Sequence, residues 1–358
     1  MVSGEIATGH ESDLRTALDT EIGPGIRLDL GGLTVVDLPG VLLLAEYEAR
    51  GASLGNCPGY VRTWIDRERE NQMITVQEGA TREHTFTGEG GLTLFYRAWR
   101  PVGMPRAVVV IVPGFNSHSG YYEWTAARLT SADIAVYAVD LRGRGQSDGD
   151  RFYVASFAEY VSDVAGMVDV ARSAEPDLPI FLLGHSAGGV LACLYAVQHQ
   201  ARLAGLVCES FAFQTPAPEF ALAALKGLSH VFPHAHVLRL KNEDFSRDAD
   251  VVAAMNADPL IANETQPTQT VAELVRADER LATEFANIVL PVLILHGTAD
   301  RAARATGSRV FFDAAGATDK TLKLYDGGYH DLLNDIDRER VVNDIVSWLT
   351  ARLTAREV

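Results

Sequence analysis

The chain has 358 residues, of which 47% are hydrophobic and 22% are charged, so it can bury a sizeable core in one large domain with additions. Its 47 acidic and 31 basic side chains give a formal net charge of −16, which repels nucleic acid and anionic lipid over long range. The composition therefore predicts no nucleic-acid partner and no stable membrane anchoring.

Two features of the sequence predict a cytoplasmic protein. Residues 1–5 lack the basic and apolar parts of a signal peptide, and no apolar run reaches the length of a membrane span. The three cysteines, Cys57, Cys193 and Cys208, are widely spaced along the chain. This spacing favours buried free thiols in a reducing compartment over a disulfide framework.

Residues 1–82 form an N-terminal extension in which no functional motif is recognisable. Apolar residues alternate with polar ones on both sides of Gly31-Gly32, and this pattern predicts a β-hairpin. The apolar run over residues 41–44 must be covered by other side chains. Three roles stay open for the extension: packing on the main body, shaping an entrance, or forming a homodimer contact.

From residue 83 onward, short apolar runs mostly alternate with helical segments, which predicts an α/β fold with a mostly parallel sheet flanked by helices. A hairpin around Glu89-Gly90-Gly91 opens this core. A capping box, Ser156 with Glu159, begins one of the helices. The predicted core comprises residues 83–210 and 287–358, with strands near residues 107–112, 134–139, 179–183, 204–208, 291–295 and 321–325.

The alternation stops over residues 211–286, a stretch too long for a simple crossover and rich in apolar residues at helical spacing. We predict an inserted helical cap, or lid, which could also form a homodimer contact. Its large apolar residues either line an entrance for an acyl chain or form the cap's own core. They are Phe211, Phe213, Phe220, Leu222, Leu225, Leu228, Val231 and Phe232. Three cap histidines, at 230, 234 and 236, match no metal-ligand spacing, so no metal is predicted.

The most informative motif is the run LGHSAGG over residues 183–189, which joins an apolar strand to a helical pattern through Ser186. This is the arrangement of a nucleophile elbow, in which a strained turn holds a serine hydroxyl clear of the backbone. At Gly184 and Gly188 a side chain would collide with the neighbouring strand and helix. A glycine-rich turn that contains serine by chance is the alternative, and the flanking strand and helix argue against it.

A carboxylate and a histidine follow this serine in the order that a catalytic triad of this kind requires. Asp300 comes at the end of a predicted strand, where catalytic groups of open α/β sheets gather. His330 follows the last predicted strand and a glycine pair, so it is the expected general base. Asp326 is an alternative acid, but it lies only four residues from His330. The backbone N–H of Ala187, directly after the serine, is one expected oxyanion donor. That of Phe115 is the other, unless Pro113-Gly114 is merely a turn, which would leave the second donor unassigned.

The chain from about residue 83 resembles the α/β-hydrolase superfamily and, within it, the monoacylglycerol lipase-like branch of serine hydrolases. Five stretches carry the resemblance, in the family's order: PGFNSHSG at 113–120, DLRGRGQSDG at 140–149, GHSAGG at 184–189, HGTAD at 296–300 and YDGGYH at 325–330. The resemblance implies Ser186, Asp300 and His330 as the triad, with Phe115 and Ala187 as oxyanion donors. The family usually has His-Gly where this chain has Pro-Gly at 113–114, and methionine is common at position 187.

The predicted function is therefore hydrolysis of a carboxylic ester through an acyl-enzyme, without a cofactor or metal. The leading substrates are monoacylglycerols or similar apolar esters. One alternative keeps the triad and changes the bond to a thioester, an amide or a carbon-carbon bond. Another is a non-catalytic ligand-binding homologue, against which the intact triad argues.

Overall fold

The computed structural model describes residues 3–6, 27–49, 52–67, 81–214 and 218–354. The chain divides into two compact units, Met1–Gln77 and Glu78–Val358. Within the described ranges, every helix is too short or too polar to span a bilayer.

The described residues of the first unit form four short strands and two helical stretches. The strands are β1 (Ser3–Ile6), β2 (Arg27–Asp29), β3 (Gly32–Val36) and β4 (Ser53–Gly55), and the helical stretches are α1 (Leu38–Ala49) and residues 59–67. Strand β1 pairs with β3 and β2 pairs with β4, both in parallel. The predicted apolar run over residues 41–44 lies in α1, where Val41, Leu43 and Leu44 are buried in a cluster with Val61 and Ile65.

The hairpin predicted at Gly31-Gly32 is wrong, because β2 and β3 do not pair with each other. The carboxylate of Asp29 accepts hydrogen bonds from the Gly31 N–H and from Asn56 Nδ2, each at 3.0 Å. The N–H of Leu30 also donates to Gly55 O at 2.8 Å. These contacts hold the turn against the segment around β4. The alternating pattern therefore corresponds to two strands, β2 and β3, that pair with different partner strands.

The second unit is built on a mixed eight-stranded sheet. In spatial order its strands are β14 (Lys320–Tyr325), β13 (Val292–Gly297), β10 (Gly205–Glu209), β9 (Ile180–His185), β7 (Ala107–Val112), β8 (Ile134–Val139), β6 (Thr93–Trp99) and β5 (Arg82–Thr87). The first six are parallel, whereas β6 and β5 form an antiparallel edge. The six predicted strands and the opening hairpin are confirmed.

Both faces of this sheet are covered by apolar side chains, as is typical of parallel strands. In β7, Val108 and Val110 join one buried cluster, while Val109 and Ile111 join the cluster on the opposite face. The helices are α2 (Glu123–Thr130), α3 (Phe157–Ala174), α4 (Ala187–His199), α5 (Glu219–Ser229), α6 (Ala249–Ala257), α7 (Thr268–Glu284), α8 (Ala305–Ala314) and α9 (Arg338–Thr354). Residues of α3, α4, α7 and α8 pack in the first cluster and those of α2 and α9 in the second.

The capping box predicted at the start of α3 forms only in part. Ser156 is the N-cap, and its side chain accepts a hydrogen bond from the Ala158 N–H at 3.2 Å. Glu159 instead accepts from Arg142 Nη1 at 2.9 Å. The helix therefore begins where the sequence predicts, while the glutamate fixes the loop that follows β8.

The stretch between β10 and β13 contains α5, α6, α7 and a two-stranded antiparallel pair, β11 (His236–Leu238) with β12 (Gln266–Pro267). Phe211 and Phe213 are buried in the main core. In contrast, the side chains of Phe220, Val231 and Phe232 are 78%, 67% and 59% exposed. For these three residues the interpretation as a buried cap core is wrong, because their side chains are exposed.

Candidate active site

Ser186 lies in a tight turn between β9 and α4, with φ 54° and ψ −120°. A β-carbon at Gly184 would come within 2.4 Å of Gly188 O, and one at Gly188 within 2.1 Å of Val112 O. Glycine is therefore required at both positions so that strand, turn and helix can approach. The left-handed φ at a non-glycine residue is backbone strain that surrounding contacts must maintain.

His330 and Asp300 meet this serine at the carboxyl edge of the sheet. The distance from His330 Nε2 to Ser186 Oγ is 2.8 Å, and that from His330 Nδ1 to Asp300 Oδ2 is also 2.8 Å. The other oxygen of Asp300 accepts from the N–H groups of Ala302 and Ala303 at 2.8 and 2.9 Å. A carboxylate on Nδ1 favours the tautomer in which Nε2 is free to accept the serine proton.

The environment keeps Asp300 ionised. Burial alone would raise its pKa, but attraction to His330 and hydrogen bonding hold the pKa well below its usual range. A second imidazole, His296, places Nε2 at 2.9 Å from Asp300 Oδ2, outside good hydrogen-bond geometry, while its Nδ1 lies 2.7 Å from Ser308 Oγ. The alternative acid, Asp326, instead accepts a hydrogen bond from Thr298 Oγ1 at 3.2 Å.

The two expected oxyanion donors border the same cavity as Ser186 and His330. Ala187 is the first residue of α4, where an N–H has no intrahelical acceptor. The N–H of Phe115 has no acceptor among the described residues. A β-carbon at Gly114 would lie 2.7 Å from Ser186 Cβ, so glycine lets the Phe115 loop pass directly over the serine.

A buried ionic cluster that the sequence did not reveal holds this loop. Arg144, 1% exposed, pairs with Glu264, and its Nη2 donates to Gln266 Oε1 at 2.7 Å. Glu264 also accepts from the Asn116 N–H at 3.0 Å, and the Arg144 guanidinium stacks on the Phe115 ring at 4.3 Å. Glu264 is 148 residues from Asn116, so no local signal could have joined them.

A second buried histidine–carboxylate pair, His185 with Glu209, lies beside the first. The His185 and His330 ring centroids are 5.2 Å apart. Glu209 also accepts from Ser210 Oγ at 2.7 Å and from the Leu332 N–H at 3.0 Å. Burial would lower the pKa of His185, but the Glu209 charge overrides this effect and raises the pKa to about 9. Glu209 directly follows the strand predicted near residues 204–208, at the same sheet edge as Ser186, and this position was a usable sequence signal.

Among the described residues, one group of possible metal ligands is close enough to share an ion: His185, Glu209 and Asp331, with ligand atoms within 4.8 Å of one another. One carboxylate oxygen of Glu209 is already paired with the imidazole Nδ1 of His185, in the place where a metal ion would bind. The three cap histidines have separate neighbours: Arg276 near His230, the Tyr153 ring on His234, and the Thr265 carbonyl at His236.

The cavity that opens on Ser186 has a volume of about 340 Å³. Its buried lining residues are mostly apolar, whereas its exposed ones include charged side chains from the segment between β10 and β13 and from the loop after Asp300. It is lined by Phe115, Ser186, Ala187, Ala212, Phe213, Gln214, Leu238, Arg239, Leu240, Lys241, Asp244, Leu274, Arg301, Ala302, Ala303 and His330. Of the eight apolar cap residues singled out in the sequence, Phe213 borders this cavity.

Comparison with known proteins decides the family. Residues 103–337 match the family described as "Serine aminopeptidase, S33" (Hydrolase_4). The chain belongs to this family. This α/β-hydrolase is 33% identical to a monoacylglycerol lipase of Mycolicibacterium smegmatis over 273 residues, which cover 76% of the chain and 98% of the relative. It is 35% identical to a human monoglyceride lipase over 267 residues, 73% of the chain and 88% of the relative.

Solved structures agree with these relatives. The crystal structure of a Paleococcus ferrophilus monoacylglycerol lipase superposes with a TM-score of 0.65 and 29% identity, covering 76% of this chain and 99% of the other. The α/β-hydrolase fold and the resemblance to the monoacylglycerol lipase-like branch are thus confirmed. The protein is a serine hydrolase of ester bonds.

Proposed function

We propose that this hydrolase cleaves monoacylglycerols or similar apolar esters, with Ser186, His330 and Asp300 as its catalytic triad. One observation carries the proposal: the chain of contacts from Ser186 Oγ through His330 to Asp300, with both links at 2.8 Å, opens on a largely apolar cavity. The relatives named monoacylglycerol and monoglyceride lipases support this substrate class.

The reaction follows from the geometry in two steps. Ser186 Oγ attacks the ester carbonyl while His330 Nε2 takes its proton, and Asp300 stabilises the imidazolium through Nδ1–H. The N–H groups of Phe115 and Ala187 donate to the carbonyl oxygen as it becomes negative. His330 then protonates the leaving alcohol, and water attacks the acyl-enzyme with the same histidine as base.

We also propose that residues 211–286 act as a cap over this site and that residues 1–82 form a separate extension. Support for the cap comes from Leu238, Leu240 and Leu274, which lie in this segment and border the cavity. The division of the chain after Gln77 supports a separate N-terminal part. The cytoplasmic location, the homodimer and the absence of stable membrane anchoring stay predictions.

The test is hydrolysis of p-nitrophenyl esters with acyl chains of two to sixteen carbons and of 1-monoacylglycerols, by the wild type and by Ser186→Ala. We expect kcat/KM to fall at least ~10⁴-fold in the variant, because the nucleophile is lost. Ser173→Ala is the matched control: its hydroxyl donates to Asp169 O on an exposed face of α3, and its activity should stay within about twofold of wild type.

Two outcomes would contradict the proposal. Equal turnover by Ser186→Ala would exclude a serine mechanism at this position. No turnover of any ester by the wild type would exclude the simple esterase, and thioester, anilide and diketone substrates would then be measured with the same two proteins.

A further inference from the structure

The outer part of the active-site cavity carries a charge opposite to that of the whole chain. Three of its lining side chains are cationic, Arg239, Lys241 and Arg301, and one, Asp244, is anionic. The formal charge of the chain is −16. At physiological ionic strength charges are screened beyond ~8 Å, so these local cations govern the field that a bound substrate experiences.

These cations are free to bind a ligand. Arg239 and Lys241 are exposed, and within the described ranges neither side chain makes an ion pair or a hydrogen bond. Arg301 stacks on the Tyr329 ring at 4.4 Å and lies 3.9 Å from Asp244, with 56% of its side chain exposed. An exposed pair at that distance contributes little, so the guanidinium retains unused donors.

Polarity changes along the cavity. Phe213, Leu274 and Ala303 are buried and form the inner wall, whereas Arg239 and Lys241 are exposed. The two cations alternate with half-buried Leu240 in the extended segment after β11. An ester bound at the serine would thus place an apolar acyl chain inward and its alcohol portion toward the cations.

We propose that this hydrolase is selective for apolar acyl esters whose alcohol carries an anionic group, a phosphate or a carboxylate, recognised by Arg239, Lys241 and Arg301. The inference rests on the ester hydrolase function proposed above and, among the apolar esters named there, ranks those with an anionic alcohol portion above neutral monoacylglycerols. The reaction remains hydrolysis: the bond between acyl carbon and alcohol oxygen breaks, and water supplies the hydroxyl to the acyl group and the proton to the alcohol. The anionic group leaves unchanged on that alcohol.

The test compares three octanoyl esters below their micelle concentrations: neutral 1-octanoylglycerol, 1-octanoylglycerol 3-phosphate and 3-octanoylglycerate. The wild type should show a higher kcat/KM for at least one anionic ester than for the neutral one, and the two anionic esters distinguish phosphate from carboxylate. In the double variant Arg239→Gln/Lys241→Gln, the anionic-to-neutral ratio should fall roughly tenfold, because two charge-assisted hydrogen bonds are lost.

Arg304→Gln is the matched control, since Arg304 is exposed three residues beyond Arg301 and does not line the cavity. It should retain the wild-type ratio. Raising the salt concentration should lower kcat/KM for the anionic ester and leave that for the neutral ester nearly constant. A wild-type preference for the neutral ester, or an equal ratio in all three proteins, would overturn the inference.

A binding measurement keeps the two proposals separable. Calorimetry with the non-hydrolysable ethers 1-octylglycerol and 1-octylglycerol 3-phosphate reports recognition without turnover. Tighter binding of the phosphate ether, lost in the double variant, supports the anion site even if no ester is cleaved. Ser186-dependent turnover of p-nitrophenyl octanoate with no preference for the phosphate ether supports the hydrolase and refutes the anion site.

Discussion

Two buried histidine–carboxylate pairs lie side by side at the carboxyl edge of the sheet, and they differ in what the far side of each imidazole meets. In the pair of His330 and Asp300, Nε2 contacts the Ser186 hydroxyl at 2.8 Å and borders the cavity. In the pair of His185 and Glu209, Nε2 is buried and has no hydrogen-bond partner among the described residues.

The same two functional groups therefore take different roles. An imidazole whose Nε2 contacts a hydroxyl and faces a cavity can transfer a proton between that hydroxyl and a substrate bound in the cavity, because both groups are within reach of Nε2. An enclosed imidazole beside a carboxylate holds its proton and acts as a fixed charge. Glu209 in turn binds the Leu332 N–H, two residues beyond His330, so the enclosed pair positions the loop that bears the reactive one.

Replacing the two carboxylates should separate these roles most clearly. In Asp300→Asn we expect kcat/KM on p-nitrophenyl octanoate to fall roughly 10⁴-fold, because the amide favours the wrong tautomer of His330. In Glu209→Gln the loss should be only roughly tenfold, since the loop loosens while the proton path stays intact. Circular dichroism would check that both variants are folded. Equal losses of kcat/KM in the two folded variants would show that the two pairs do not have different roles.

The enclosed pair should instead affect the dependence of stability on pH. The pKa of His185 is raised to about 9 from an ordinary value near 6.5. The contribution of this imidazolium to the free energy of unfolding is therefore complete below pH 6.5 and disappears as the pH rises through 9. Between pH 6.5 and 9.5 the wild type should lose roughly 3 kcal/mol of unfolding free energy through this group. Urea denaturation of Glu209→Gln should show a much smaller loss, and an identical loss would contradict the assignment.

We expect the smallest effect on activity from a substitution of Asp326. Of the two candidate acids, it is the one nearer to His330 in sequence. Its contact is with Thr298 Oγ1, and asparagine can accept the same hydrogen bond. Asp326→Asn should therefore keep kcat/KM within about twofold of wild type. A loss comparable to that of Asp300→Asn would mean that the histidine uses the other acid.

Sequence predicted those parts of the molecule that depend on short segments. The strands around residues 107–112 and 134–139 are apolar at every position because both sheet faces are buried, so their bounds match the structure. Ser186, Asp300 and His330 each follow a strand, and parallel strands bring their carboxyl ends to one edge. That rule, together with the serine motif and the order of the three residues along the chain, predicted that the three side chains meet.

Contacts between distant segments were not predictable in this way. The pairing of Arg144 with Glu264 joins residues 120 apart, and nothing in either local pattern indicates the other. The alternation around Gly31 indicated strands correctly but not their partners, which polar contacts of Asp29 select. Apolar spacing between β10 and β13 could not distinguish the buried Phe213 from the exposed Phe220, because burial depends on which residues pack against distant parts of the core.

The burial of Arg144 limits how this protein can be recombined. Its carboxylate and amide partners, Glu264 and Gln266, both belong to the segment between β10 and β13, while the arginine belongs to the loop after β8. A chimera that received this segment from a homologue without those two side chains would bury an unpaired guanidinium, at a cost of several kcal/mol. The segment between β10 and β13 and the loop that carries Arg144 must therefore be exchanged together in any chimera.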